Sequence, residues 1–207
     1  MGVTENQSSA KLTRKEQIEN TATALFKERG FSATSMRDLA SEVGIEAASI
    51  YAHVRSKEEL LQSICFKMAQ EFFGELAGIE AQPVTFTQKL RLIMAAHVKL
   101  ITRNVAASAV FLQEWRHLSE PHLADFLQLR EKYEQRIRTL VRQGIEAGEF
   151  VPTDDRFVTR TLLSSLNGIT QWYKLDGELS PEAIANGLAD LFLTGLVSHK
   201  DDRPKYH

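Results

Sequence analysis

Apolar residues recur at three- and four-residue spacing along almost the whole chain, and no stretch alternates as a half-buried strand does, so the pattern predicts an all-α protein of about nine helices. The first opens at Thr13, where Glu16 completes a capping box, and carries Ile18, Ala22, Leu25 and Phe26 on one stripe until Arg29-Gly30-Phe31 ends it. The second opens at Ser35 with Asp38 three residues on, and presents Leu39, Ala40 and Val43. Gly44 then turns the chain into a third short helix, about 47–53, with Ile50 and Val54 inward and Ser49, Tyr51 and His53 outward. Ser56 and Glu59 make another capping box, starting a long helix with Leu60, Leu61, Ile64, Met68, Phe72 and Leu76 that breaks between Gly78 and Pro83. Lys57 lies in its first turn, where a cation opposes the helix dipole; a phosphate partner would account for it.

The remaining elements follow the same period. A fifth helix over about 85–103 carries Leu90, Ile93, Met94, His97 and Ile101, and a sixth over 106–118 carries Phe111, Leu112 and Trp115. A seventh, 120–147, has a broad apolar face ending at Gly148. The eighth opens near Asp154 or Asp155 and runs to Trp172. The ninth opens with Ser180-Pro181-Glu182, a cap followed by proline at the first helical position. Met1–Lys11 and Lys200–His207 are expected to be disordered.

Two short helices joined by a glycine turn are how a protein lays a helix in the major groove of DNA. The run Thr13–Leu61, with ALFKERGFSATSMRDLASEVGI and SIYAHVRSKEELL, closely resembles the DNA-binding domain of the tetracycline-repressor (TetR) family of bacterial regulators. The remaining three quarters are similar only in helix number and length. The resemblance implies a helix-turn-helix domain over 1–57 and a ligand-binding and dimerisation domain over 58–207. It also implies roles: Arg37, Ala47, Ala48, Ser49 and His53 face bases, Tyr51 and Lys57 meet phosphates, and Thr34 or Ser35 meets the DNA backbone. Arg37 has the fork that matches the O6 and N7 of guanine. The alternatives are a His53 that caps a helix end and a Tyr51 packed under the turn.

In this family the last two long helices pair with their copies as a four-helix bundle. The residues this implies for dimerisation are Leu162, Leu166, Ile169, Leu188, Leu191, Phe192 and Leu196; the alternative is that this stripe is core.

Composition narrows the picture. A chain of 207 residues is long enough for a small domain and a larger one, and 43% hydrophobic with 25% charged residues is ordinary for a globular protein. There is no apolar run of membrane-spanning length and no signal-peptide core at the start, which leads us to expect a cytoplasmic protein without a membrane partner. The one cysteine, Cys65, excludes an intrachain disulfide and reads as core. The net charge of −2 argues against indiscriminate nucleic-acid binding, yet Arg37, Arg55 and Lys57 flank the third helix, where local potential matters.

Polar and aromatic residues that interrupt the apolar faces of the larger domain mark a candidate pocket for a small hydrophobic effector: His97, Trp115, Arg130, Tyr133, Asn167 and Trp172, with Met68, Phe72 and Phe111 beside them. Gln113 and His117 interrupt the faces too. The segment Leu166–Leu196 resembles the end of family members that sense acyl-coenzyme A thioesters, which implies cations for the phosphates among Arg91, Lys99, Arg103, Arg116, Arg130 and Lys174. The alternative is a multidrug-type regulator sensing lipophilic cations. An enzyme is the rival class. No nucleophile elbow, phosphate loop, dinucleotide fingerprint or zincin motif is present, and Glu114 with His117 supplies only one of the two E-x-x-H motifs that a di-iron bundle requires. No cofactor or metal is expected. The reading as a whole is a homodimeric, ligand-responsive transcriptional regulator, a repressor that binds a palindromic operator and is released by its effector.

Overall fold

The computed structural model describes residues 12–197, so the two termini expected to be disordered lie outside the described residues. The helices are α1 (Arg14–Arg29), α2 (Met36–Val43), α3 (Lys57–Glu80), α4 (Phe86–Arg103), α5 (Val105–Gln113), α6 (His122–Glu146), α7 (Asp155–Asn167), α8 (Ile169–Trp172) and α9 (Pro181–Leu196). Single 3₁₀ turns occur at Ser49–Ala52 and Glu114–His117. Among the described residues the only β pairing is a bridge between Phe150 and Val197.

The caps form where the short polar residues stand. Thr13, Ser35 and Thr85 each accept the amide of the third residue on, and Glu16, Asp38 and Gln88 return a bond to the cap amide. Ser56 caps α3 through Glu59 N, but the Glu59 carboxylate takes the Arg55 amide at 2.8 Å, so this box is only half made. Three expected helices change form. Between the Gly44 turn and the Ser56 cap there is room for one 3₁₀ turn, not an α-helix over 47–53. The sixth helix tightens to 3₁₀ after Gln113, and the eighth divides at Gly168 into α7 and α8.

α1 packs on α2, α3 and α5; α3 goes on to α4, α5 and α6; α4 lies against α9, and α6 against α7. One apolar core runs from Ile18, Leu39 and Ile50 through Leu61 and Met68 to Ile93, Phe126 and Leu193. This packing corrects most of the expected dimer seam. Leu162, Leu166 and Ile169 have no exposed surface and Leu196 only 5%, because α7, α8 and α9 turn them onto the neighbouring helices; a side chain with no surface cannot touch a second subunit. The core reading holds for those four. Leu191, at 76% exposed, faces outward, with Leu188 and Phe192 partly exposed beside it.

Candidate DNA-reading face and effector cavity

The segment between α1 and α3 is fixed by polar atoms turned onto the backbone. Gly30, at φ 85°, ends α1, and the buried Thr34 returns its hydroxyl to the Gly30 carbonyl at 2.9 Å. Gly44, at φ 73°, takes the left-handed conformation that ends α2, a position strained for any side chain. Lys57 donates from Nζ to the carbonyls of Phe31 at 2.8 Å and Thr34 at 3.0 Å, with the Phe31 ring 4.2 Å beneath it. Thr34 and Lys57, expected on DNA, therefore have their polar groups inside the domain. The carbonyls that explain a lysine in this first turn come from 26 and 23 residues earlier.

What remains outside is a compact set of exposed side chains. Arg37, Ala47, Ala48, Ser49, Tyr51 and His53 are all exposed. Tyr51, 57% exposed, is not packed under the turn, and His53 ends the 3₁₀ turn with its backbone amide on the Ile50 carbonyl while its ring makes no hydrogen bond to the described residues. Ser35 is exposed too, though its hydroxyl accepts the Asp38 amide; the hydroxyl at 2.6 Å and the Ser35 amide at 2.8 Å both donate to Asp38 Oδ2 and hold that carboxyl below the usual range.

This end is hooked to the larger domain through Phe31. Its amide donates to Glu114 Oε2 at 3.0 Å, and its ring stacks on His117 with centroids 5.2 Å apart. The Glu114–His117 pair, 3.6 Å apart, thus serves the turn after α1. Among the described residues no group of three His, Cys, Asp or Glu is arranged to hold a metal, and no helix is long and apolar enough to cross a membrane.

Above the hook, α3 to α7 enclose a cavity of about 750 Å³. Its inner wall is aromatic: the Phe72 ring lies 4.6 Å from His97, 5.4 Å from Phe111 and 5.9 Å from Tyr133. Phe126 and Leu163 extend it. His97 Nε2 is 3.1 Å from Asn167 Oδ1, and burial pushes the imidazole down to about 4. Burial likewise raises the Tyr133 phenol.

Four arginines line the same cavity. Arg138 holds Asp155 at 2.8 Å and Arg160 holds Glu134 at 3.0 Å, whereas Arg156 has no ion pair among the described residues and Arg130 lies over the Trp115 ring at 5.0 Å. Six of the nine expected pocket residues are here: Phe72, His97, Phe111, Arg130, Tyr133 and Asn167. The other three are not. Met68 is sealed in the core, Trp115 backs Phe126 between Arg116 and Arg130, and Trp172 is half exposed beyond the break at Gly168. Of the cations expected for phosphates only Arg130 lines the cavity; Arg91 pairs with Asp190 and Arg103 with Glu71. The signal for the missed Arg138, Arg156 and Arg160 was spacing, since 156 and 160 on α7 fall four apart, and 138 lies two turns beyond Arg130 on the same face of α6.

Residues 18–64 match the tetR family of bacterial regulatory proteins, and residues 83–196 match the tetracyclin repressor-like C-terminal domain. The chain belongs to the TetR family. It is 26% identical over 197 residues to the HTH-type transcriptional repressor KstR2 of Mycolicibacterium smegmatis, covering 92% of this chain and 94% of that one. The structure of the ketosteroid transcriptional regulator KstR2 of Mycobacterium tuberculosis superposes with a TM-score of 0.86 at 25% identity, over 90% of this chain and 96% of that one. AibR in complex with isovaleryl coenzyme A and operator DNA superposes with a TM-score of 0.78 at 26% identity, over 86% and 97%. As a TetR-family member the protein is a DNA-binding transcriptional regulator, and the enzyme reading has no support among these relatives.

Proposed function

We propose that this TetR-family protein is a repressor that binds a palindromic operator as a homodimer and is released by a small hydrophobic anion, an acyl-coenzyme A thioester. The observation that carries the effector class is the cavity wall: an aromatic interior for an acyl chain beside four guanidinium groups, against the two carboxylates of Glu131 and Glu134. A lipophilic cation would meet that positive field unfavourably, whereas phosphates match the arginine fork. The likeness to AibR, whose complex holds isovaleryl coenzyme A, supports the same reading.

In this reading residues 1–57 bind DNA, with Arg37 and the 47–53 turn toward the bases and Tyr51 toward phosphate, and 58–207 bind the effector and the second subunit. The dimer seam is the outer face of α9, where Gly187, Leu191 and Gly195 share one exposed line and an added Cβ on either glycine meets nothing. Ligand between α3 and α7 shifts α3 and the Glu114–Phe31 hook, and so the spacing of the two reading turns from about one helical repeat of DNA, roughly 34–36 Å.

Two measurements test this. Thermal melting across acyl thioesters, free acids and lipophilic cations should single out the thioesters, with about 2.7 kcal/mol of stabilisation at a hundredfold the dissociation constant. Stabilisation and DNA release by cations alone would overturn the effector class. Leu191→Glu should leave folded monomers that no longer shift the operator, and normal dimers by light scattering would place the seam elsewhere.

A further inference from the structure

We propose that the part of the effector entering the cavity carries a hydroxyl group, and that His97 and Asn167 read it. This rests on the effector reading above and narrows it from any acyl tail to one that both donates and accepts a hydrogen bond.

His97 is only 3% exposed and sits on the core face of α4 with Ile93, Met94 and Ile101, on the wall of the cavity. Its Nε2 faces Asn167 Oδ1, which only accepts, so Nε2 carries the proton of the neutral ring. Nδ1 is then a bare lone pair, and it is buried with no hydrogen-bond partner among the described residues. Leaving a buried acceptor unmet costs about 1–3 kcal/mol, and leucine or methionine would fill this position without that cost. Burial holds the ring neutral down to about 4, so Nδ1 stays an acceptor at neutral pH.

The neighbouring groups complete the site. Asn167, with Oδ1 on the imidazole, still has the two N–H donors of its amide, and the Tyr133 phenol, also on the wall, makes no hydrogen bond to the described residues. One acceptor and two kinds of donor thus stand together beside the aromatic wall of the cavity. A hydroxyl satisfies both, donating to His97 Nδ1 while accepting from Asn167 or Tyr133. A plain hydrocarbon satisfies neither. A ketone or ester oxygen satisfies the donors and leaves Nδ1 bare.

Titration calorimetry on the full-length protein with two matched pairs tests the proposal: 3-hydroxydecanoyl-coenzyme A against decanoyl-coenzyme A, and decan-1-ol against its isomer methyl nonyl ether. The hydroxyl member of a pair should bind about tenfold tighter, the value of one satisfied buried acceptor. His97→Leu should bring that ratio close to one by losing affinity for the hydroxyl member only. Asn167→Leu is the second variant, since removing Oδ1 frees Nε2–H and should also shrink the ratio. Thioesters that bind without regard to the hydroxyl overturn the proposal and leave the acyl-coenzyme A reading intact. Preference for decan-1-ol with no thioester binding does the reverse. If none of the four binds, both fall.

Discussion

At the DNA-reading end polar side chains are engaged with backbone: Thr34 with Gly30, Lys57 with Phe31 and Thr34, Ser35 with Asp38. In the cavity some are not, with His97 Nδ1 unpartnered and the Arg156 guanidinium unpaired among the described residues on one wall. The first arrangement holds a turn rigidly so that exposed residues meet a groove at a set angle. The second leaves the cavity with polar needs that a ligand can meet. Coupling between the two ends needs a contact that both feel, and Phe31 provides one, held at once by Lys57, Glu114 and His117.

The largest expected effect comes from the apolar frame that lets the cavity keep free polar groups. Leu162 has no exposed surface, and Leu162→Ala should cost roughly 2–5 kcal/mol by urea unfolding while the protein still assembles as wild type does. A variant that loses the dimer at unchanged stability would return Leu162 to the subunit seam.

Next in size is a pH effect from the cavity. His97 titrates near 4 when folded and near 6.5 when unfolded, so below 6.5 the unfolded chain binds a proton that the native chain refuses. Stability should therefore fall between pH 6.5 and 4, by up to about 3 kcal/mol from this residue. His97→Leu should flatten that window. The carboxylates Asp155 and Glu149, whose folded values are lowered by Arg142 and Arg138 and by the Thr87 and Phe86 amides, lose their contribution only at lower pH, as they protonate. An unchanged slope in His97→Leu between pH 6 and 5 would show that the ring is not held neutral.

At the other end Lys57→Met should cost about 1–3 kcal/mol, because two carbonyls lose their donor. If Lys57 served phosphate instead, the variant would keep its melting point and lose only DNA affinity and salt dependence.

These cases show what was legible beforehand. Caps at Thr13, Ser35 and Ser180 and the Gly44 turn are encoded within a few residues, and the structure has them, with the helix after Gly44 shortened to a 3₁₀ turn. The carbonyl partners of Lys57 were not legible because they are distant in sequence, close only once α1 and α3 pack. The stripe on α7 told that Leu162 and Leu166 are buried but not against what, since periodicity is the same for a core and a subunit seam. His97, Tyr133 and Asn167 stood out as polar breaks in apolar faces; Arg156 and Arg160 did not, because charged residues on a helix are ordinarily its solvated side.

The smallest effect sharpens the comparison most, because Ser35 has both an inward role and an exposed position. Its hydroxyl accepts the Asp38 amide at 3.2 Å, so Ser35→Ala should cost about 1 kcal/mol, within the 0.5–2 range for a lost N-cap. Asparagine caps as well as serine, so Ser35→Asn should retain wild-type stability. Comparing the two variants by melting and by operator titration separates the roles. Operator affinity that tracks stability, lowered in Ser35→Ala and intact in Ser35→Asn, makes Ser35 part of the engaged scaffold that presents Arg37. Affinity lost in Ser35→Asn at unchanged stability would place its hydroxyl on a phosphate, and the DNA-reading end would then hold one more exposed contact than its hydrogen bonds indicate.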